Sequence, residues 1–200
     1  MSDIETGTFI KNVEGIILAA GFSSRAGAFK MELPLQGKSL ICRTIEGMYD
    51  FCSRIFLVGG HKIERLVELT REYAKVRVVF NEHYPSGMFS SVQEGVKHIE
   101  KEKFFFIPGD CPLVKKEVYR KLLHAPGDIV IPLFRGRKGH PVLMKSFLAE
   151  EILREPQDSN LRDFIRGKGY ETVEVEDETI LIDVDTKADY KKAIEKSRFL

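Results

Sequence analysis

Apolar residues fall into short runs that alternate with segments of helical periodicity. The runs occupy residues 15–19, 54–59, 76–80, 103–109 and 128–133, and each is typical of a buried strand. Strands that alternate with helices predict right-handed crossover connections and a mainly parallel sheet covered on both faces. The apolar positions that predict the helices recur three or four residues apart: Ile41, Ile45 and Met48; Val92, Val96 and Ile99; Val114, Val118 and Leu122.

The pattern loosens after residue 134, where shorter apolar segments predict a mixed extension of the sheet. We expect strands within 139–144 and near 170–175 and 179–182, followed by a final helix in DTKADYKKAIEK. No internal repeat, low-complexity tract or linker interrupts the chain. The predicted fold class is therefore α/β, and we expect residues 1–200 to form a single domain.

Charge and composition narrow the classes of partner. The 31 basic and 30 acidic residues leave a net charge of +1, so nothing global favours nucleic acid or a membrane surface. No apolar stretch is long enough to span a bilayer, and the first residues do not read as a signal peptide. The cysteines, Cys42, Cys52 and Cys111, form no CxxC pair and are typical of reduced thiols. We therefore expect a cytoplasmic protein with neither nucleic-acid nor membrane partners.

Small and polar residues follow the predicted strands at the points where the strands end. AAGFSSR follows the first strand, GGHK the second, NEHYPSG the third and GDCP the fourth. In an open parallel sheet, ligands bind beyond the carboxyl ends of the strands. The sequence therefore predicts a ligand site built from these loops.

The first loop, LAAGFSSRAGAFK, combines small residues with two cations. Ala19, Ala20 and Gly21 let a ligand approach the backbone, whose N–H groups can bind an anion. Arg25 offers a planar fork for phosphate oxygens and Lys30 a mobile charge, a combination that suits a triphosphate. The loop lacks both the Walker A ending and GxGxxG, and a strand-to-helix turn with solvated cations explains it equally well.

Aspartates follow two apolar segments and could hold a metal ion. Asp110 ends FFFIPGD, and Asp183 and Asp185 end ILIDVD. Mg²⁺ prefers oxygen ligands and often bridges one or two carboxylates to substrate phosphates. Purely structural roles for these aspartates remain open. Asp110 can be a turn residue before a proline, and TKAD can be a capping box with Thr186 as the N-cap.

Taken together, these motifs resemble a known family. LAAGFSSRAGAFK, GMFSS, PGDCP, RKGHPVLM and DVDT occur in the order seen in MobA-like nucleotidyltransferases, most closely the molybdenum cofactor cytidylyltransferases. The similarity runs from about Glu14 to about Ile194, with Ala26 in place of the family's methionine. The resemblance implies a Rossmann-like three-layer α/β/α fold and Mg²⁺-dependent transfer of CMP from CTP to a phosphorylated, molybdopterin-type acceptor, with release of pyrophosphate. A molybdenum-enzyme apoprotein is an expected further partner.

The resemblance also assigns roles to individual residues. Those expected to bind the nucleotide are Leu18, Ala19, Ala20, Gly21, Arg25, Lys30, Gly87, Ser90, Ser91 and Asp110. Those expected to act in catalysis are Arg25, Lys30, Asp110 and Asp185, of which Asp110 and Asp185 would hold Mg²⁺. Those expected to contact the acceptor are Arg135, Gly139, His140, Pro141, Asp158 and Arg162.

Nucleotide choice and acceptor follow from the resemblance to different degrees. Relatives with LAAG favour CTP and guanylyltransferase relatives carry LAGG, so Ala20 implies CTP. The acceptor segment QDSNLR keeps only Asp158 and Arg162 of the cytidylyltransferases' GDxGAR, which leaves a sugar or polyol phosphate open as the acceptor. A non-catalytic, cofactor-binding maturation factor for molybdenum enzymes also stays open. A dinucleotide-dependent oxidoreductase is disfavoured because GxGxxG is missing.

Several residues that could suggest other chemistry have plainer explanations. The histidines at 61, 83, 98 and 124 lack metal-ligand spacing such as HExxH. Cys111 lies beside Asp110, but a cysteine without an evident base is usually inert. His140 could contact an acceptor phosphate, or it could be a hydrogen-bonded histidine in a tight Gly–Pro turn.

Overall fold

The computed structural model describes residues 12–21 and 29–198 and confirms the predicted α/β fold. The main sheet has the order β10-β7-β9-β6-β1-β4-β5, with β8 paired to β7, and β2 and β3 form a separate hairpin. The strands are β1 (Val13–Leu18), β2 (Pro34–Leu35), β3 (Lys38–Ser39), β4 (Arg54–Gly59), β5 (Val76–Phe80), β6 (Lys103–Pro108), β7 (Ile129–Phe134), β8 (Arg137–Lys138), β9 (Val142–Lys145) and β10 (Glu171–Glu174).

Helices connect the strands and cover both faces of the sheet. They are α1 (Leu40–Met48), α2 (Ile63–Thr70), α3 (Met88–Val96), α4 (Lys116–His124), α5 (Phe147–Arg154), α6 (Leu161–Lys168) and α7 (Lys187–Ser197). Short 3₁₀ turns lie at Lys30–Glu32, Tyr84–Ser86 and Glu178–Leu181.

The alternation of side chains along the central strands divides the core into two layers. In β1, Ile17 packs into the cluster that contains the apolar faces of α1 and α4. Its neighbour Ile16 points the other way, into the cluster formed with α3, α5 and α6. Phe105 and Phe106 of β6 divide in the same manner. Successive side chains of a strand face opposite sides of the sheet, so this pattern is that of a three-layer sandwich.

Strand directions determine which loops meet at one edge of the sheet. β1 pairs in parallel with both β4 and β6. The chain runs from β1 through β4 to β5 at one end of the sheet and then crosses back to β6 on the other side of β1, so the strand order reverses at β1. Ligands of open α/β sheets bind in the crevice at such a switch point. β9 runs antiparallel to β6, with Val142 opposite Phe106, and this reversal brings the residues before β9 to the same edge.

One predicted strand is wrong, because the segment near 179–182 forms the 3₁₀ turn Glu178–Leu181. The Asp177 carboxylate accepts hydrogen bonds from the Thr179 backbone N–H at 3.0 Å and from its hydroxyl at 2.8 Å, which starts the tight turn. The carbonyl of Ile180 then accepts from the N–H of His140 at 3.0 Å. These contacts take the place of a ladder, although the run of apolar residues suggested a strand.

Candidate active site

The loops after β1 and β6 lie side by side at the switch point. Leu18 pairs with Pro108 at the ends of the two strands, and the N–H of Gly109 donates to the carbonyl of Leu18 at 2.8 Å. A Cβ on Gly109 would come within 3.1 Å of that carbonyl and of neighbouring side chains, so a glycine allows this close approach. The crevice predicted from the sequence is therefore formed by the starts of both loops.

The first loop presents a short, small-residue segment before it leaves the described residues. Ala19 and Ala20 are buried and Gly21 is exposed. The N–H of Ala19 is used within the sheet, where it donates to the carbonyl of Val58 at 2.8 Å. The predicted phosphate ligand Arg25 lies outside the described residues, as does the rest of 22–28.

Lys30 joins the two carboxylates that the sequence singled out. Its Nζ atom lies 2.7 Å from Oδ2 of Asp110 and 2.9 Å from Oδ1 of Asp185. The Lys30 and Asp110 side chains are only 12% and 16% exposed, whereas Asp185 is 48% exposed. The structure thus brings residues that are 80 and 155 positions apart in the chain into one charged cluster, the Lys30–Asp110–Asp185 cluster.

Backbone contacts hold the two carboxylates in place. Asp110 follows the buried strand β6, and its carbonyl accepts from the N–H of Val184 at 3.0 Å, which fixes the segment that carries Asp185. Immediately afterwards, α7 begins with a capping box in which Thr186 and Asp189 bond reciprocally. The capping box predicted for TKAD is therefore confirmed. Asp185 lies beside this helix cap and also contacts Lys30.

The cluster is held by opposing electrostatic effects. Burial by itself lowers the pKa of Lys30, but the ion pairs and hydrogen bonds with Asp110 and Asp185 outweigh it and raise that pKa above its usual value. The pKa of Asp183 is raised, first by burial and then by the nearby negative charges of Asp110 and Asp185. The three carboxylates of Asp110, Asp183 and Asp185 therefore act on one another, and two of them pair with the Lys30 ammonium group, so the site favours cations.

The donor set fits a hard divalent cation bound together with phosphate oxygens. Mg²⁺ is usually held by one or two carboxylates plus substrate phosphates and waters. Within the described ranges, no group of three or more His, Cys, Asp or Glu side chains could hold a metal ion by itself. The pair formed by Asp110 and Asp185 therefore suits a metal that arrives with a phosphorylated ligand.

The loop after β5 contains a buried polar residue that sequence reasoning missed. Nδ2 of Asn81 lies 2.9 Å from the hydroxyl oxygens of both Ser90 and Ser91, and its Oδ1 accepts from the N–H of His83 at 2.9 Å. Both predicted nucleotide-binding serines are thus buried and bonded within the protein, at the start of α3. The available signal was an asparagine directly after an apolar strand, at the ligand edge.

Gly87 begins this helix in a conformation that favours glycine. Its φ of 115° lies in the region that L side chains rarely adopt, and Met88, which follows it, is 70% exposed. Gly87 therefore belongs to the turn that sets the entry of α3.

Three predicted acceptor residues, Gly139, His140 and Pro141, directly precede β9, and the charge of Asp110 acts on His140. A Cβ on Gly139 would lie 2.3 Å from the carbonyl oxygen of Ile180, so only glycine fits there. His140 follows, and then the cis peptide bond to Pro141. Burial lowers the pKa of His140 to about 4, although the charge of Asp110 partly opposes the shift. Nδ1 of His140 is buried without a hydrogen-bond partner among the described residues.

The remaining predicted acceptor residues are not joined to this centre. Arg135 lies at the tip of the β7–β8 hairpin, with a φ of 49° and its guanidinium carbon 5.2 Å from the centre of the Phe134 ring. Asp158 and Arg162 are exposed, in the loop before α6 and in its first turn. In the described part of the chain, no hydrogen bond or ion pair connects these side chains to the Lys30–Asp110–Asp185 cluster.

Comparison with known proteins places the chain in a family. Residues 15–175 match the family described as the MobA-like NTP transferase domain. The chain belongs to this family. It is therefore a nucleotidyltransferase, as the resemblance read from the sequence predicted.

Individual members of the MobA-like family show the range of similarity. The chain is 31% identical to the molybdenum cofactor cytidylyltransferase of Escherichia coli over 92% of this chain and 96% of that protein. It is 30% identical to a probable molybdenum cofactor guanylyltransferase of Bacillus cereus, over 62% of this chain and 63% of that protein.

A solved structure matches the fold of this MobA-like chain. A nucleotidyl transferase from Methanothermobacter superposes with a TM-score of 0.83 at 22% identity, covering 94% of this chain and 98% of that one. Along the residues that the structure describes, no helix is long and apolar enough to cross a membrane.

Proposed function

We propose that this MobA-like protein transfers CMP from CTP to a phosphorylated, molybdopterin-type acceptor in a Mg²⁺-dependent reaction. The observation that carries the proposal is the Lys30–Asp110–Asp185 cluster at the switch point of the sheet. The similarity to a cytidylyltransferase along nearly the whole chain supports the choice of reaction.

The proposed reaction is a displacement at the α-phosphorus of CTP. An oxygen of the acceptor phosphate forms a bond to the α-phosphorus, the bond to the oxygen that bridges to the β-phosphorus breaks, and pyrophosphate leaves with that electron pair. The attacking oxygen is already anionic, so no base has to remove a proton. The protein's task is to align the groups and to stabilise the charge that develops on the leaving group.

Three elements of the chain would share this task. The backbone from Ala19 to Gly21 can approach the phosphates closely because its side chains are small. Lys30, and by resemblance Arg25, would pair with phosphate oxygens. Asp110 and Asp185 would hold Mg²⁺, which supplies positive charge to the triphosphate and the leaving pyrophosphate.

Base choice and acceptor choice rest on different residues. Ala20 supports CTP, since the guanylyltransferase relatives carry glycine at this position. His140 would form part of the acceptor site because the charge of Asp110 acts on it. Gly139, Arg135, Pro141, Asp158 and Arg162 complete the proposed set by resemblance. The product would then pass to a molybdenum-enzyme apoprotein, and we propose that these steps take place in the cytoplasm.

The test is a matrix of nucleotides against acceptors. Purified protein is incubated with Mg²⁺ and CTP, GTP, ATP or UTP, each with molybdopterin, its metal-loaded form or a sugar or polyol phosphate, and pyrophosphate is measured. The proposal requires the highest turnover with CTP and a pterin acceptor. Turnover with a sugar or polyol phosphate but not with a pterin would show that the acceptor is a sugar or polyol phosphate. Tight binding of the cofactor without turnover would favour a maturation factor.

A further inference from the structure

Lys30 lies where a cation would have to lie in order to bridge the two carboxylates. Its ammonium group is within hydrogen-bond distance of one oxygen from Asp110 and one from Asp185. The contact with Asp110 is largely shielded from water, because both side chains are mostly buried, whereas Asp185 is half exposed. The pair of carboxylates therefore has a counter-ion supplied by the chain itself.

An ammonium group and a divalent cation compete for such a position. Both would need the same carboxylate oxygens, and their like charges repel at short range in a poorly hydrated site. Lysine is well suited to leaving, since its charge sits at the end of a flexible stem with four carbons. The backbone of Lys30 can stay in place meanwhile, because its carbonyl accepts from the N–H of Leu33 at 3.1 Å and the adjacent Met31 is buried.

We propose that Lys30 is an internal counter-ion that excludes divalent cations from Asp110 and Asp185 until a triphosphate draws its ammonium group away. The metal then enters with the nucleotide rather than before it. This inference rests on the proposed function. It adds that the nucleotide and the metal ion bind together, and it explains why Lys30 would pair first with the carboxylates and then with the triphosphate.

The test measures binding of Mn²⁺ alone, by electron paramagnetic resonance, to the full chain without nucleotide. Lys30→Met removes the charge and keeps a long side chain. We expect it to bind Mn²⁺ at least about tenfold more tightly than wild type, because a positive charge about 4 Å from the site opposes a second cation even when solvent screens it. Adding Asp110→Asn to Lys30→Met should abolish the gain.

Lys145→Met is the matched control. Lys145 also pairs with an aspartate, Asp128, at 2.8 Å, but it ends β9 on the opposite edge of the sheet from the site. Its loss changes the net charge equally and should leave Mn²⁺ affinity at the wild-type value. A Lys30→Met protein that is folded by circular dichroism and binds Mn²⁺ no more tightly than wild type would overturn the inference.

A second measurement uses the wild-type chain and does not depend on a variant that folds. In protein with ¹⁵N-labelled lysine, the Lys30 ammonium resonance should stay unchanged with Mg²⁺ alone and should shift when a non-hydrolysable CTP analogue is added with Mg²⁺. A full shift with Mg²⁺ alone would contradict the proposed order. If the protein transfers no nucleotide but Lys30 still competes with the metal ion, the counter-ion role stands and the proposed reaction is wrong. The failure of the inference can therefore be distinguished from the failure of the proposed function.

Discussion

Acid should destabilise this protein through one largely buried histidine. His140 lies just before β9, where the charge of Asp110 acts on it, and its partial burial keeps the imidazole neutral in the folded protein down to a pKa of about 4. In the unfolded chain a histidine takes up a proton below a pH of about 6.5. Between these two values the unfolded state binds the extra proton, so the free energy of unfolding must fall as the pH falls.

The size of the effect follows from the two pKa values. Between pH 7 and pH 5 most unfolded molecules protonate this histidine while few folded molecules do. Linkage then gives a loss of about 2 kcal/mol in the free energy of unfolding over this interval. The contribution is fully present above the unfolded pKa and is lost progressively as the pH approaches about 4.

Urea denaturation at pH 7 and pH 5, followed by circular dichroism, measures this loss. His140→Gln cannot protonate, so its stability should change less between the two pH values than that of wild type, by about 2 kcal/mol. Comparing pH dependences removes the cost of the substitution itself and the contribution of the carboxylates. Equal pH dependence in the two proteins would refute the buried, neutral state of His140.

Four further predictions concern the site and the fold. Asp110→Asn keeps the size of the side chain but removes a metal-binding charge, so pyrophosphate release should nearly cease while the circular dichroism spectrum is retained. Lys30→Ala should weaken CTP binding measured by calorimetry by about ten- to a hundredfold, since one charge-assisted phosphate contact contributes about 1.5–3 kcal/mol. Ala20→Gly should narrow a CTP preference in kcat/KM without reversing it, because a methyl-sized contact discriminates by about 1–3 kcal/mol. Glu14 is fully buried, and its carboxylate accepts from the N–H groups of residues 100 and 101 at 2.7 and 3.0 Å. Glu14→Gln should therefore lower the free energy of unfolding, measured by urea denaturation, by about 1–3 kcal/mol, whereas Glu150→Gln, at an exposed position, should lower it little.

Each of these four predictions has an outcome that would contradict it. Wild-type turnover of the Asp110 variant at limiting Mg²⁺ would remove that residue from the metal site. Unchanged CTP affinity after loss of Lys30 would leave the first loop as a plain turn. A wild-type protein whose kcat/KM for GTP equals that for CTP would contradict the role of Ala20. Equal free energies of unfolding for the Glu14 and Glu150 variants would show that the buried contacts of Glu14 contribute no more to stability than those of an exposed glutamate.

Periodicity predicted most of the sheet because its strands are buried on both faces. Apolar runs such as 103–109 leave little choice of structure, and the order of strands and helices then favours a parallel arrangement. The segment near 179–182 has the same apolar character but forms a 3₁₀ turn. A side-chain cap at Asp177 decided the outcome, and periodicity does not report such a contact.

The sequence pointed to the residues of the site but could not give their pairing. Strand ends predicted that Asp110 would lie at the ligand edge, yet nothing local indicates that Lys30 contacts it and Asp185 at once. That contact depends on where a segment near the end of the chain passes the end of β6. The bonding of Ser90 and Ser91 to Asn81 was missed for the same reason, since a motif does not show which of its polar groups already have partners inside the protein.

The most direct test of the proposed reaction follows the α-phosphate of CTP. The protein is incubated with Mg²⁺, a molybdopterin-type acceptor and CTP that is radiolabelled at either the α- or the γ-phosphate, and the products are separated by chromatography. Nucleotidyl transfer requires that the α-label appears in a new dinucleotide that contains the acceptor, and that the γ-label appears in an equal amount of pyrophosphate. Label that stays in CTP, or an α-label that is released as free CMP with the acceptor unchanged, would contradict nucleotidyl transfer to this acceptor.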